Sequence, residues 1–300
     1  MNEINEIIDS AELPELLANY SLDDTNKVFE ILADRFYGIS LAKKLASFGE
    51  ALKTAGNNDS AQWCFTSGMM ICLITIEVYE ESEEIGKDDY VDELIDEYRS
   101  LLSAFINLHT ADDDTGNVMQ YCIGLSDKAD ELGEKLPETG TFRMLAQLTL
   151  ENGATYYMKK NNFSKVVELY IIQRDKLVDY SKYMRVTPLI AKVDSKLVLP
   201  CMMTGNVSLA KHCGEEAYEL YVDLFESDPE RYAADFIASC ANYGGVCMDT
   251  DALDNAKAVL DAGYRAWVRL SEKMRNDSDV VLGKYILDTN NERMKRKMNS

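Results

Sequence analysis

Histidine is almost absent from this chain: His109 and His212 are the only two in 300 residues, and neither lies in an HExxH arrangement. No GxSxG, GxxxxGKS/T or GxGxxG run occurs, and no Cys/His cluster. The local signatures of zinc and serine hydrolases, phosphate-binding loops and dinucleotide folds are therefore missing. Carboxylates are abundant, but no pair is marked out for acid–base work. Since many sites are assembled from distant residues, these absences only make catalysis the least supported reading. No catalytic residue, metal ligand or cofactor is expected.

Proline and glycine are also scarce, at 5 and 16 residues, and Ala, Leu, Glu, Lys and Met fill the stretches between them. That composition favours helix over strand. The first residues, MNEINEIIDSAELPELL, have neither a basic segment nor a long apolar run, so no secretory signal is expected. The most apolar stretch, Gly68 to Val78, is too short to span a bilayer. The seven cysteines (Cys64, Cys72, Cys122, Cys201, Cys213, Cys240 and Cys247) are odd in number and form no CxxC. They fit small apolar core residues in a reducing cytoplasm better than a disulfide framework or a zinc site.

Positive charge is in short supply. The formal charge of -21 repels nucleic-acid phosphates and anionic lipid, so neither is an expected partner, whereas basic partners are attracted. Plain solubility explains the same number. The charge is uneven, because residues 265–300 carry nine Lys and Arg against five acids, ending in the cluster Arg293 to Lys297. That tail has three readings: solvated, docked on its own chain, or docked on a second copy.

What the sequence does contain is a recurring local pattern. A helical run ends, a short polar turn follows, and an amphipathic run begins with a packing residue near its start. The turns are Gly56–Ser60, Thr115–Asn117, Asn161–Ser164, Thr204–Ser208 and Asp249–Asp251. Gly and Asn suit the left-handed backbone that ends a helix. Ser60, Ser164, Ser208 and Asp251 are placed to cap the next one. The packing residues Ala61, Tyr121, Val166, Ala210 and Ala256 are separated by 60, 45, 44 and 46 residues. The longer first interval holds an acidic segment, Glu77 to Glu97, expected to extend one helix, make a loop and start the next. Pro200 falls inside an expected helix, where it should kink or break it.

Three of these units resemble the tetratricopeptide repeat. They are Ser47-Phe48-Gly49-x-x-Leu52 with Gly56-Asn57, Ala61, Phe65 and Gly68; Asn152-Gly153-Ala154-x-x-Tyr157 with Asn161-Asn162-Phe163, Val166 and Tyr170; and Asn242-Tyr243-Gly244-x-x-Cys247 with Ala256, Leu260 and Gly263. Gly or Ala lets one helix approach another while the large residue fills the space beside it. The interval of about 45 exceeds the family's usual 34, and HEAT-like pairs have a similar period. The resemblance implies an all-α fold, a right-handed α-solenoid of about five antiparallel helix pairs. Residues 1–38 are expected to form N-terminal capping helices, 39–276 the repeats, and 277–300 a C-terminal capping helix with a basic tail.

The resemblance also implies a concave groove lined by the first helix of each pair, where Asn grips the backbone of a bound peptide. The slot fourteen residues before each packing residue holds Ser47, Asn107, Asn152, Lys196 and Asn242. Six residues beyond lie Met158, Met202 and Met248 in the last three units, either as an adaptable apolar floor or as core. Lys192, one turn from Lys196, adds positive charge that suits a carboxylate or phosphate, or else pairs with nearby acids. Tyr157 is expected to pack and Tyr156 to be more exposed; Trp63 and Trp267 read as core or inter-repeat contacts. The leading reading is a peptide- or protein-binding scaffold. A peptide-sensing regulator of bacterial type and a self-associating structural protein are the alternatives.

Overall fold

The computed structural model describes residues 17–82, 87–109, 117–137 and 140–298. Among them are thirteen helices and no strand. In order these are α1 (Leu22–Ala33), α2 (Gly38–Thr54), α3 (Asn58–Glu80), α4 (Lys87–Leu108), α5 (Asn117–Lys135), α6 (Thr141–Lys159), α7 (Phe163–Tyr180), α8 (Thr187–Met203), α9 (Val207–Ser227), α10 (Pro229–Asp249), α11 (Leu253–Arg269), α12 (Glu272–Arg275) and α13 (Ser278–Met298). The chain divides into two compact units, Met1–Tyr156 and Tyr157–Ser300. The boundary falls inside α6.

Four turns are built alike. Gly56, Asn161, Gly205 and Asp251 adopt φ of 82°, 55°, 76° and 57°. The next residue in each, Asn57, Asn162, Asn206 or Ala252, returns its N–H to a carbonyl five positions back, at Leu52, Tyr157, Cys201 or Cys247, over 2.8–3.0 Å. A left-handed residue with this reach-back bond satisfies the last carbonyls of one helix and turns the chain into the next. The caps are the asparagines rather than the serines expected from the sequence. The side chains of Asn57, Asn162 and Asn206 accept from the N–H groups of Ser60, Lys165 and Leu209. In the fourth turn Asp251 supplies the left-handed position and Ala252 stands at the cap without a side-chain bond. The expected turn at Thr115–Asn117 falls largely on residues outside those described.

In the first unit α2 packs on α3 and α3 on α4. An added Cβ at Gly49 would lie 2.6 Å from the Phe65 ring, and one at Gly68 would lie 3.0 Å from Leu101. These glycines are close-approach sites, as the tetratricopeptide-like pattern implied. By length and composition α3 is the one helix among the described residues fit to cross a membrane. Yet Ala61, Cys64, Phe65, Met69, Cys72, Leu73 and Ile76 on it are buried within the unit. The acidic segment behaves as expected: α3 ends at Glu80 and α4 begins at Lys87. Further on, buried Arg143 donates to the carbonyls of Gly133 and Pro137, both at 3.0 Å, satisfying the end of α5.

The second unit repeats the packing. A Cβ at Gly244 would meet Leu260 at 2.7 Å, and one at Gly263 would meet Leu287 at 2.9 Å. The order Gly, large residue sixteen on, Gly three further is thus shared by Gly49/Phe65/Gly68 and Gly244/Leu260/Gly263. Pro200 does not break its helix: α8 continues to Met203 and Pro200 is buried in its last turn. Only the Lys196 carbonyl loses its i+4 donor there. The last helix, α13, runs from Ser278 to Met298. It covers α10 and α11 through Val280, Gly283, Leu287 and Met294.

Of the packing residues, Ala61, Val166, Ala210 and Ala256 are fully buried. Tyr121 is not, being 38% exposed on α5, where Val118, Met119 and Cys122 are buried instead. The second repeat is therefore out of register with the pattern. Tyr156 also departs from expectation: at 5% exposure it is buried, only slightly less than Tyr157, and it donates to the His109 carbonyl at 2.6 Å. Trp63 and Trp267 make the expected contacts, Trp63 edge-on to Phe29 and Trp267 beneath Arg275 and Lys284.

Candidate binding surfaces

Each slot residue is positioned by a first helix, and the structure treats them differently. In the first unit Ser47 is exposed on α2 and donates back to the Lys43 carbonyl at 3.0 Å. Asn107 is exposed on α4, with Ser103 Oγ at 3.4 Å. Asn152 is half-buried and donates to Leu148 of its own helix at 2.9 Å. All three side chains bond within their own helix.

In the second unit Asn242 on α10 donates its amide to both the carbonyl and the hydroxyl of Ser195 on α8, each at 3.3 Å. Asn290 on α13 repeats this against α10, donating to the Ala241 carbonyl at 2.8 Å. In both cases the acceptor is the residue just before the slot of the preceding first helix. Asn242 is therefore a tie between stacked first helices, and its amide is not a free clamp. Asn290 is the next member of the series, 48 residues on, which the sequence reading missed because it stopped at five units.

The methionines divide. Met158 and Met202 are half-buried, whereas Met248 has no exposed surface and belongs to the core between α10 and α11. Met248 is thus not a groove residue. Met203, its neighbour in type but not in the expected row, is 59% exposed.

Lys192 and Lys196 lie on the outward side of α8 in one stripe with Leu189, Leu199 and Met203, spaced by three and four residues. Leu189, Leu199 and Met203 are 39%, 54% and 59% exposed. The adjoining side of α10 carries Asp235, Ala238, Asn242 and Gly245, all half-buried and mostly small. Burial raises the Asp235 carboxyl above its ordinary range, and the charges of Lys192 and Lys196 oppose that shift. The two lysines are thus electrostatic neighbours of α10, and the long α8 side chains stand beside a low α10 surface.

Two further features were not legible in the sequence. Arg174 on α7 donates through Nε to buried Asp194 on α8 at 2.7 Å and through a terminal nitrogen to Glu216 on α9 at 2.6 Å. His212 sits 3.4 Å from the same Glu216 oxygen. Burial pushes the Asp194 carboxyl up to about 6 despite Arg174, and its second oxygen has no protein partner among the described residues. In the first unit a concavity of about 310 Å³ opens between α3 and α5, lined by Thr66, Met70, Gln120, Tyr121, Gly124 and Leu125. It lies between second helices, not first ones.

The basic tail docks on its own chain. Arg293 pairs with Asp249, and Lys297 donates to Asp251 at 2.8 Å and to the Met248 carbonyl at 2.7 Å. It thereby caps the end of α10, where negative dipole and unsatisfied carbonyls favour a cation. No group of three or more His, Cys, Asp or Glu among the described residues is arranged to hold a metal. All seven cysteines are buried and unbridged, and burial pushes the thiols of Cys64, Cys72 and Cys122 up to about 12.

No protein-family model matches the chain. No curated protein matches it either. Among solved structures it aligns with a chain from the computational design of self-assembling cyclic protein homo-oligomers. The alignment covers 98% of this chain and 99% of that one, at 10% identity and a TM-score of 0.21. What the structure itself defines is an all-α protein of consecutively packed helices.

Proposed function

We propose that the protein is a helical-repeat scaffold that binds a segment of a protein partner along the first-helix face of its second unit. The observation that carries this reading is the exposed α8 stripe. Three large apolar side chains, Leu189, Leu199 and Met203, flank two lysines beside a neighbouring helix of small residues. Isolated exposed apolar residues need no explanation, but a row of them on one helix face suits a binding surface. The complementary partner is a segment with apolar residues around one or two carboxylates, held by burial and by charge-assisted bonds to Lys192 and Lys196. We read the helix pairs as tetratricopeptide-like turns of a right-handed α-solenoid. The four equivalent turns and the Gly-to-large-residue contacts support that assignment. Unbridged buried thiols fit a reducing, cytoplasmic setting.

The test is selection from a displayed random-peptide library on the intact chain. Enrichment of sequences with carboxylates between apolar residues is expected, and it should disappear with Lys192→Glu/Lys196→Glu. Selection of the same sequences by both proteins would refute the assignment.

A further inference from the structure

The Asn242 and Asn290 bonds set a register for first-helix stacking in the second unit, and that register exposes what is left over at its end. With Asn290 equivalent to Asn242, Tyr285 on α13 takes the place of Ile237 on α10, and Thr289 takes that of Ala241. Ile237 and Ala241 belong to the α10 face that receives α13. Ile237 lies 2.9 Å from where a Gly283 Cβ would be, and the Ala241 carbonyl accepts from Asn290. On α13 the same face is open. Val281, Leu282 and Tyr285 are 51%, 58% and 69% exposed. A capping helix is expected to turn a polar side outward, and this one does so only in its second half, at Glu292 and Arg296.

We infer that this face binds the same face of a second copy, the two α13 helices lying antiparallel and crossing at Tyr285. The charges along the helix fit that arrangement with itself. Glu292 lies seven residues after Tyr285 and Ser278, where α13 begins, lies seven before it. Both are about 10 Å from the crossing point at the helical rise. Each Glu292 therefore faces the amino-terminal end of its mate's α13, which Asp277 already caps and where Asp279 adds a second acid, so the attraction at that end comes from Arg296. Arg296, one turn further, extends toward the acidic Glu272 and Asp277 that precede that end. Leu282 packs against the mate's Thr289 side, and the two Tyr285 rings meet at the twofold axis. Such a contact is isologous. One helix per copy buries a small area, so the dimer is weak. It uses no residue of the α8 stripe, so it stands apart from the peptide-binding reading.

The experiment uses the full chain. Sedimentation velocity over a wide concentration range is expected to show a monomer–dimer equilibrium. Tyr285→Glu should weaken it by roughly tenfold or more, as for loss of a central anchor, while Val78→Glu on the first unit leaves it unchanged. Tyr285→Cys should form an intermolecular disulfide under mild oxidation, since the native cysteines are buried, and Glu292→Cys should not, because the two copies of residue 292 lie at opposite ends of the contact. A chain that stays monomeric throughout overturns the proposal. So does a dimer indifferent to Tyr285→Glu, or one cross-linked through residue 292 in preference to 285.

Discussion

The side-chain amide of Asn242 reaches across from α10 to the carbonyl and hydroxyl of Ser195 on α8, 47 residues earlier. Asn290 makes the same reach from α13 to α10. Stacked first helices thus share one recurring bond. Asn is a poor helix former, and its recurrence here has a structural cause in the second unit. Asn242→Ala and Asn290→Ala are each expected to destabilise the chain by about 1 kcal/mol, the net worth of an intramolecular hydrogen bond. Urea unfolding monitored by circular dichroism measures it. Unchanged midpoints would remove the tie from the account.

The glycines separate into two groups with opposite predicted signs. At Gly49 and Gly244 a methyl group would lie 2.6 Å from Phe65 and 2.7 Å from Leu260. Ala at either position should cost about 1–3 kcal/mol through overpacking. Gly124 has nothing within 4 Å of its added Cβ. Gly124→Ala should therefore stabilise α5 by about 0.5–1 kcal/mol, the propensity difference alone. Thermal melts of the three variants give the comparison directly.

The helix caps predict a contrast between neighbours. Asn162 accepts from the Lys165 N–H at 3.4 Å, whereas Ser164 lies one step inside α7. Asn162→Ala should cost about 1 kcal/mol and Ser164→Ala only a few tenths. Equal losses, or the reverse order, would mean that the helix begins where the serine pattern placed it.

Asp194 gives a pH dependence of unusual sign. Its carboxyl is raised to about 6 by burial, above an ordinary value of 3.8. Between those values the folded chain holds a proton that the unfolded chain lacks. The Asp194 contribution to stability is therefore lost as pH rises from about 4 to about 6, and gained as it falls. General relief of the net negative charge acts in the same direction, so the difference from a variant isolates it. Asp194→Asn keeps an oxygen acceptor for Arg174 and cannot titrate. Wild type relative to Asp194→Asn should gain stability when denaturation is compared at pH 5 and pH 7. A pH-independent difference would mean that Arg174 keeps Asp194 charged throughout.

Local chemistry made much of this fold legible. Gly56, Asn161 and Gly205 announce helix ends because few other residues tolerate their backbone angles. Gly49, Gly68, Gly244 and Gly263 announce close approach because a side chain there would collide. The caps were displaced by two or three residues because serine and asparagine serve that role about equally well, and the turns at Asn57, Asn162 and Asn206 hold both. Tyr121 failed as a packing residue because the spacing was carried across the expected turn Thr115–Asn117, which falls largely outside the described residues. Met248 and Tyr156 differ from expectation because spacing along one helix does not show what the next helix covers. The partner of Asn242, and the Asp194–Arg174–Glu216 chain, join residues 20 to 47 positions apart. No local pattern encodes such pairings.

The binding face is tested most directly by amide hydrogen exchange on the full chain, with and without a library-selected acidic–apolar peptide. The account predicts added protection in α8 and along the adjoining side of α10, lost in Lys192→Glu/Lys196→Glu. Protection confined to α3 and α5, around Met70 and Tyr121, would contradict it and place binding between the second helices of the first unit.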